Sequence, residues 1–417
     1  MPESSAKKLF YYALPAMPIA LLGLPLYVYL PTFYTQNVGL GVFAVGVILF
    51  LARAFDMLLD PLLGYLSDRF FSRQKMMAVG AVILLGSFYA LTHPMSQYST
   101  LWLLLFSVLV YFGWSMINIP YLALSADISL SYHDNTILSS SREIVSILGV
   151  ITALFLPYTL GISQEPQASL WVMNNVLFVL LPLTMFLFLY GIRDSSIKTQ
   201  AKTIRKVFTD FYREISLSKR VFFAFFLNNF ANAIPATLFL FYVELVIKRP
   251  DLTGILLILY FASGMLALPF WTALAKVMSK KSVWILSMMM ASSFFAFVPF
   301  FGEGDVVYFG IITVLSGLSL GADMALPTSI QSDVARSMSR EENNVSGTLF
   351  GFFSMLTKLS LAFGVGASFG ILGFFDFDPK MPTVVSLHLL SYVYSLLPIT
   401  LKLFSIAVLL GYEEDPH

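Results

Sequence analysis

Twelve stretches of this chain are long and apolar enough to cross a bilayer. They run roughly over 9–33, 39–66, 76–92, 101–125, 143–163, 169–192, 221–247, 252–275, 282–301, 306–328, 345–372 and 383–411. A helix needs about 20 mostly apolar residues to span the hydrocarbon core. Inside hydrocarbon every backbone N–H and C=O must find a partner within the protein. Runs of this length therefore read as transmembrane helices, and the chain as an all-α membrane protein. Composition agrees, with 58% hydrophobic and only 12% charged residues, against about 25% charged in globular proteins. A net charge of +1 gives no footprint for nucleic acid. The absence of cysteine excludes disulfides and cysteine-ligated metals, and the four histidines lack ligand spacing. The opening "MPESSAKKLFYY" does not read as a cleaved signal peptide, because the apolar run after Lys8 is too long.

Basic residues orient the spans. With both termini in the cytoplasm, inside segments hold 19 of the 25 Lys and Arg residues, while the outside loops hold Lys248, Arg249 and Lys380. The longest polar segment, 193–220, carries eight of them and divides the chain into six spans plus six. The expected organisation is an N-terminal bundle over 1–192, a cytoplasmic linker over 193–220 and a C-terminal bundle over 221–417. Ile204, Val207, Phe208, Phe211 and Ile215 suggest a short interfacial amphipathic helix within the linker.

The halves echo one another. "GYLSDRFFSRQK" follows the second span and "TALAKVMSKKS" the eighth. Pro120 precedes Asp127 in the fourth span, and Pro327 precedes Asp333 in the tenth. Six-helix halves around a midplane site are a hallmark of many secondary transporters.

The charges inside the spans point to function. In "RAFDMLLDPLLGYLSDR", Arg53, Asp56 and Asp60 fall at i, i+3 and i+7 on one helix face. A lone charge at the bilayer centre costs about 2.5–3.5 kcal/mol on insertion scales, so this face turns to the protein interior. One reading is a structural salt bridge to Arg53. The other uses the carboxylates as hard oxygen ligands for a monovalent cation or a proton. Lys358, deep in the eleventh span, needs a counter-charge; Asp56, Asp60 and Asp323 compete for it. Arg142 beside Glu143 reads either as an interfacial pair or as a cavity arginine for polar substrate groups. Asn118 and Ser115 are candidate cation ligands. Asn228, Asn229 and Asn232 either line a cavity or bond neighbouring helices. Tyr27, Trp114 and Tyr121 lie where an aromatic binding site could form.

Together these residues resemble the glycoside–pentoside–hexuronide:cation symporter family of the major facilitator superfamily, across nearly the whole chain. The most specific element is "RAFDMLLDPLLG". The resemblance implies twelve transmembrane helices in two six-helix bundles. It makes Asp56 and Asp60 the cation-site carboxylates, matches Arg53 to the motif arginine and Lys358 to the family's lysine, and puts Arg142 at a sugar-contacting arginine. Gly64, Asp68, Arg69 and Arg73 look like the superfamily's gating loop. The sequence departs from the melibiose-type pattern at three places: Ala20 falls nearest a sugar-binding aspartate, Asn118 replaces a carboxylate, and Leu122 replaces a stacking tryptophan.

The expected protein is thus a monomeric symporter in a bacterial-type inner membrane, driven by Na⁺ or H⁺ with no other cofactor, and not an enzyme. Its expected small-molecule substrate is a sugar or glycoside. The alternatives are a lysophospholipid or other amphiphile, compatible with the apolar Leu22, Leu24 and Leu26, and a small organic anion.

Overall fold

The computed structural model describes residues 3–412 except 24, 96–98, 129–131, 163–164, 193–203, 339–344, 378 and 380. These residues form helices in the order the hydropathy implies, and no strand occurs among them. We number them α1 to α12. α1 is a broken run made of Glu3–Ala13, Ala16–Leu21, a π turn at Pro25–Tyr29, and Leu30–Gln36. Then come α2 (Val42–Arg69), α3 (Arg73–Thr92), α4 (Ser99–Ile128), α5 (Tyr132–Thr159) and α6 (Pro166–Gly191). α7 (Ile204–Phe241) ends in a second π turn, Tyr242–Val246. α8 (Thr253–Leu274), α9 (Lys280–Phe295), α10 (Val306–Met338), α11 (Ser346–Phe374) and α12 (Val384–Leu410) complete the chain.

Eleven of these runs are long and apolar enough to cross a membrane by length and composition. α2 is as long, and carries Arg53, Asp56 and Asp60 in its middle. Large apolar side chains such as Phe50, Phe186, Leu266 and Phe404 are exposed on the outside of the helices, as lipid contact requires. α1 breaks where proline denies the helix an N–H and crowds the carbonyl four residues back, at Pro15 and again at Pro25.

One difference from the expectation concerns the middle of the chain. The linker was expected to carry a short helix of its own. Instead the helical run from Ile204 continues unbroken into α7, because no glycine or proline interrupts 204–234; residues 193–203 lie outside the described residues. The chain also forms two compact units that do not follow a single cut. The first is Met1–Ala201 with Gln331–Met355, and the second is Lys202–Ile330 with Leu356–His417.

The first unit packs around Tyr12, Leu26, Phe33, Met77, Phe88 and Leu124. The second packs around Leu238, Tyr242, Phe309 and Tyr394, with the Tyr242 and Tyr394 rings stacked at 4.4 Å. Within the second unit, Gly317 and Gly321 let α10 approach α8, and a Cβ on Gly321 would collide with the Gly264 carbonyl oxygen.

The internal repeat is visible in local structure. Ser72 caps α3 and Ser279 caps α9, each accepting from the backbone N–H three residues on. The residue after each cap, Arg73 or Lys280, is fully buried. Both pairs keep one register, which also relates Pro120 in α4 to Pro327 in α10.

Candidate ion and substrate site

The first unit holds the carboxylate site. Asp56 and Asp60 sit on α2 at 5% and 0% exposure. The Ser115 hydroxyl, on α4, donates to Asp56 Oδ1 at 2.8 Å. Asn118 lies one turn further along α4 and is half-buried. Arg53 lies on the same face of α2. It gives its Nε–H to the Tyr111 hydroxyl at 3.2 Å. Its guanidinium lies 3.7 Å from the Tyr27 ring centroid and 5.3 Å from that of Tyr111. Two tyrosine faces thus hold the cation by ring quadrupole and hydrogen bond. Tyr111 was not singled out in the sequence; only its membership of an otherwise apolar span could have flagged it. The π turn in α1 carries Tyr27, which is 49% exposed.

Arg142 and Glu143 are both buried and pair with each other, Arg142 Nε donating to Glu143 Oε1 at 3.1 Å. The interfacial reading of this pair therefore fails, because neither side chain reaches a surface. Tyr121 is also buried. Its hydroxyl donates to the Tyr12 carbonyl oxygen at 2.6 Å, and the two rings lie 5.0 Å apart. It packs the bundle interior rather than offering an exposed platform. Trp114 is half-buried on α4.

Below the carboxylates, α2 makes a second construction. Asp68 Oδ1 accepts the Gly347 N–H at 2.7 Å, and Oδ2 accepts the Thr348 N–H at 2.7 Å and its hydroxyl at 2.8 Å. A carboxylate on the first N–H groups of α11 is what a helix N-terminus favours. Arg73 ties this carboxylate to α3, donating from Nη2 to Asp68 Oδ1 at 3.2 Å, and its Nε forms an ion pair with Asp127 Oδ2 on α4 at 2.5 Å. The backbones touch here: a Cβ on Gly64 would overlap the Gly347 carbonyl oxygen. Arg69, also named from the sequence, is half-buried at the end of α2.

The second unit holds a different cluster. Lys402 on α12 donates to Asp323 Oδ2 on α10 at 2.8 Å and to Asn228 Oδ1 on α7 at 2.7 Å. Asn232 Nδ2 donates to Asp323 Oδ2 at 3.2 Å. Trp284 Nε1 and the Ser287 hydroxyl, both on α9, approach Asp323 Oδ1 at 3.1 and 3.5 Å. Asp323 was considered as a counter-charge for Lys358; the structure gives it Lys402 instead. Asn228 and Asn232 bond neighbouring helices, the second of their two readings. Asn229 donates to the Phe225 carbonyl oxygen one turn back. Lys358 itself is half-buried on α11.

Among the described residues, apolar helices in this order with buried charged clusters inside them define a secondary transporter of the major facilitator fold, a multi-pass integral membrane protein and not an enzyme. Solved structures share that fold. A bacterial homologue of the iron transporter ferroportin superposes with a TM-score of 0.75 at 14% identity, covering 98% of this chain and 99% of that one. The E. coli fucose:proton symporter gives 0.69 at 12%, covering 96% and 98%. The chain belongs to the MFS/sugar transport protein family, whose model matches residues 11–413. Relatives include the uncharacterized symporter YnaJ of Bacillus subtilis strain 168, 22% identical over 81% of this chain and 76% of that protein. Another is the sodium-dependent lysophosphatidylcholine symporter 1-A of Danio rerio, 20% identical over 97% of this chain and 85% of that protein.

Proposed function

We propose that this transporter is a cation-coupled symporter whose coupling ion, Na⁺ or H⁺, binds at Asp56 and Asp60, with Ser115 and Asn118 as neighbouring ligands. The observation that carries this reading is the geometry on α2. Two buried carboxylates sit one helical turn apart, one already accepts a hydroxyl hydrogen bond, and the nearby arginine is committed to two tyrosines. Buried carboxylates repel one another when both are ionised, so a bound cation or proton lowers their energy. The symporter relatives support coupling to an ion.

Transport proceeds by alternating access. The Asp68 clamp on the start of α11 serves as a gate in this reading, and Gly64, Asp68, Arg69 and Arg73 work it. Opening it breaks three hydrogen bonds to one carboxylate. Lysine and arginine distribution supports a plasma-membrane orientation with both termini cytoplasmic.

The substrate is a sugar or glycoside on the family description, with Arg142, Lys358 and Trp114 as proposed contacts. A second reading, a lysophospholipid-type amphiphile, draws on the full-length relative in Danio rerio. It also draws on the missing sugar acids at Ala20 and Asn118 and on the buried Leu22 and Leu26 of α1.

The test is uptake into proteoliposomes. Asp56→Asn and Asp60→Asn are expected to abolish ion-stimulated accumulation. Accumulation that stays ion-dependent and undiminished in both variants refutes the mechanism. A thermal-shift panel of glycosides, lysophosphatidylcholine and small organic anions, with and without sodium, separates the substrate classes.

A further inference from the structure

We infer that the Asp323 cluster is a second cation site, and that its occupant is built in: the Lys402 ammonium stands where a monovalent cation would otherwise bind. The ammonium sits between two oxygens of a kind that ligate such ions, Asp323 Oδ2 at 2.8 Å and Asn228 Oδ1 at 2.7 Å. Asp323 and Lys402 are both nearly excluded from solvent, at 6% and 8% side-chain exposure. Helices α7, α9, α10 and α12 each contribute a side chain, so the carboxylate is enclosed by construction. A buried carboxylate in such a place must be neutralised, and here the neutralising charge is tethered to the chain.

The repeat supports the assignment. In the register that pairs Ser72 with Ser279 and Pro120 with Pro327, Asp323 aligns with Met116, next to Ser115. Ser115 is the α4 residue that bonds Asp56. The first unit's carboxylates stand on α2 beside this level of α4, while the second unit's stands on the proline-marked helix α10 itself. In the first unit the compensating charge can exchange, on the reading proposed above. In the second it cannot leave. The consequence is that the second unit contributes no exchangeable ion, whatever the ion at Asp56 and Asp60.

The test uses full-length protein carrying Asp56→Asn and Asp60→Asn, so the first site contributes nothing and its failure stays separate. Thermal unfolding is followed near pH 8 in NaCl, LiCl and choline chloride at matched ionic strength. The background protein is expected to show no saturable difference between the salts. Adding Lys402→Met is expected to lower the midpoint in choline and to create a saturable Na⁺ or Li⁺ stabilisation on the order of a few °C. Adding Asp323→Asn should remove that response. Lys402→Gln, which keeps the stem and a donor, runs alongside; if the methionine variant does not fold, the glutamine variant decides. A folded Lys402 variant with no saturable cation response overturns the inference. So does a response that survives Asp323→Asn. Failure of both Lys402 variants to fold even in sodium and lithium also overturns it, because the ion should replace the ammonium.

Discussion

Asp56 in the first unit and Asp323 in the second are both buried carboxylates inside apolar helices, but they keep different company. Asp323 has a lysine at 2.8 Å, an asparagine amide at 3.2 Å and an indole N–H at 3.1 Å. Asp56 has a serine hydroxyl at 2.8 Å, while the arginine one turn away leans on Tyr27 and Tyr111. A basic side chain is available in both places. Lys402 hydrogen-bonds its carboxylate; Arg53 lies against two aromatic rings. A fixed counter-charge makes a carboxylate part of the scaffold. On the proposed reading, the ion at Asp56 comes and goes while the charge at Asp323 stays tethered.

The largest expected effect tests the first half of that contrast. Asp60→Asn or Asp56→Asn should reduce ion-driven accumulation to the level of empty liposomes, while the purified protein stays monodisperse. Next is the second half. Asp323→Asn leaves Lys402 buried without its carboxylate and should destabilise the protein by about 3–5 kcal/mol, read as a fall in the unfolding midpoint. An unchanged midpoint would mean that the pair is not coupled energetically. Ser115→Ala removes a hydrogen bond to a charged group, worth about 1.5–3 kcal/mol. It should weaken the apparent affinity for the coupling ion about tenfold or more, with the maximal rate largely kept. If the ion response is unaltered, Ser115 is a packing residue. The smallest effect is expected for Tyr111→Phe, which deletes the Arg53 hydrogen bond but keeps the ring, at a cost of about 0.5–1.5 kcal/mol. Ion-dependent uptake should persist. If it is lost, holding Arg53 aside depends on the hydroxyl rather than on the ring faces.

How legible each part was depends on the range of the interaction. The twelve spans could be read because a transmembrane helix is set by a local run of apolar residues. The shared face of Arg53, Asp56 and Asp60 follows from their spacing along one helix. The breaks at Pro15 and Pro25 are local too, since proline acts on its own turn. Amphipathic spacing over 204–215 suggests a separate helix, but no breaking residue stands between it and the apolar part of α7, so the helix runs on. The buried state of Arg142 and Glu143 was left open, because adjacent opposite charges look the same at an interface and in a core. Lys402 lies within the twelfth apolar run, but its partners lie 79 and 174 residues away, beyond the reach of any pattern.

The chain alone carries the length of its hydrophobic runs, the placement of charge along each helix and the echo between its halves. Those suffice for a twelve-helix membrane protein with carboxylates facing inward, because hydrocarbon tolerates neither unpaired backbone nor lipid-facing charge. Only the tertiary structure decided which cation meets which carboxylate. Helix packing brings α12 to α10 and turns Arg53 toward two tyrosines, and ion pairing at a few ångströms depends on that arrangement rather than on order along the sequence. The assignment of Gln331–Met355 to the first unit has the same origin. The Gly347 and Thr348 N–H groups at the start of α11 found their acceptor in Asp68, some 280 residues earlier in the chain.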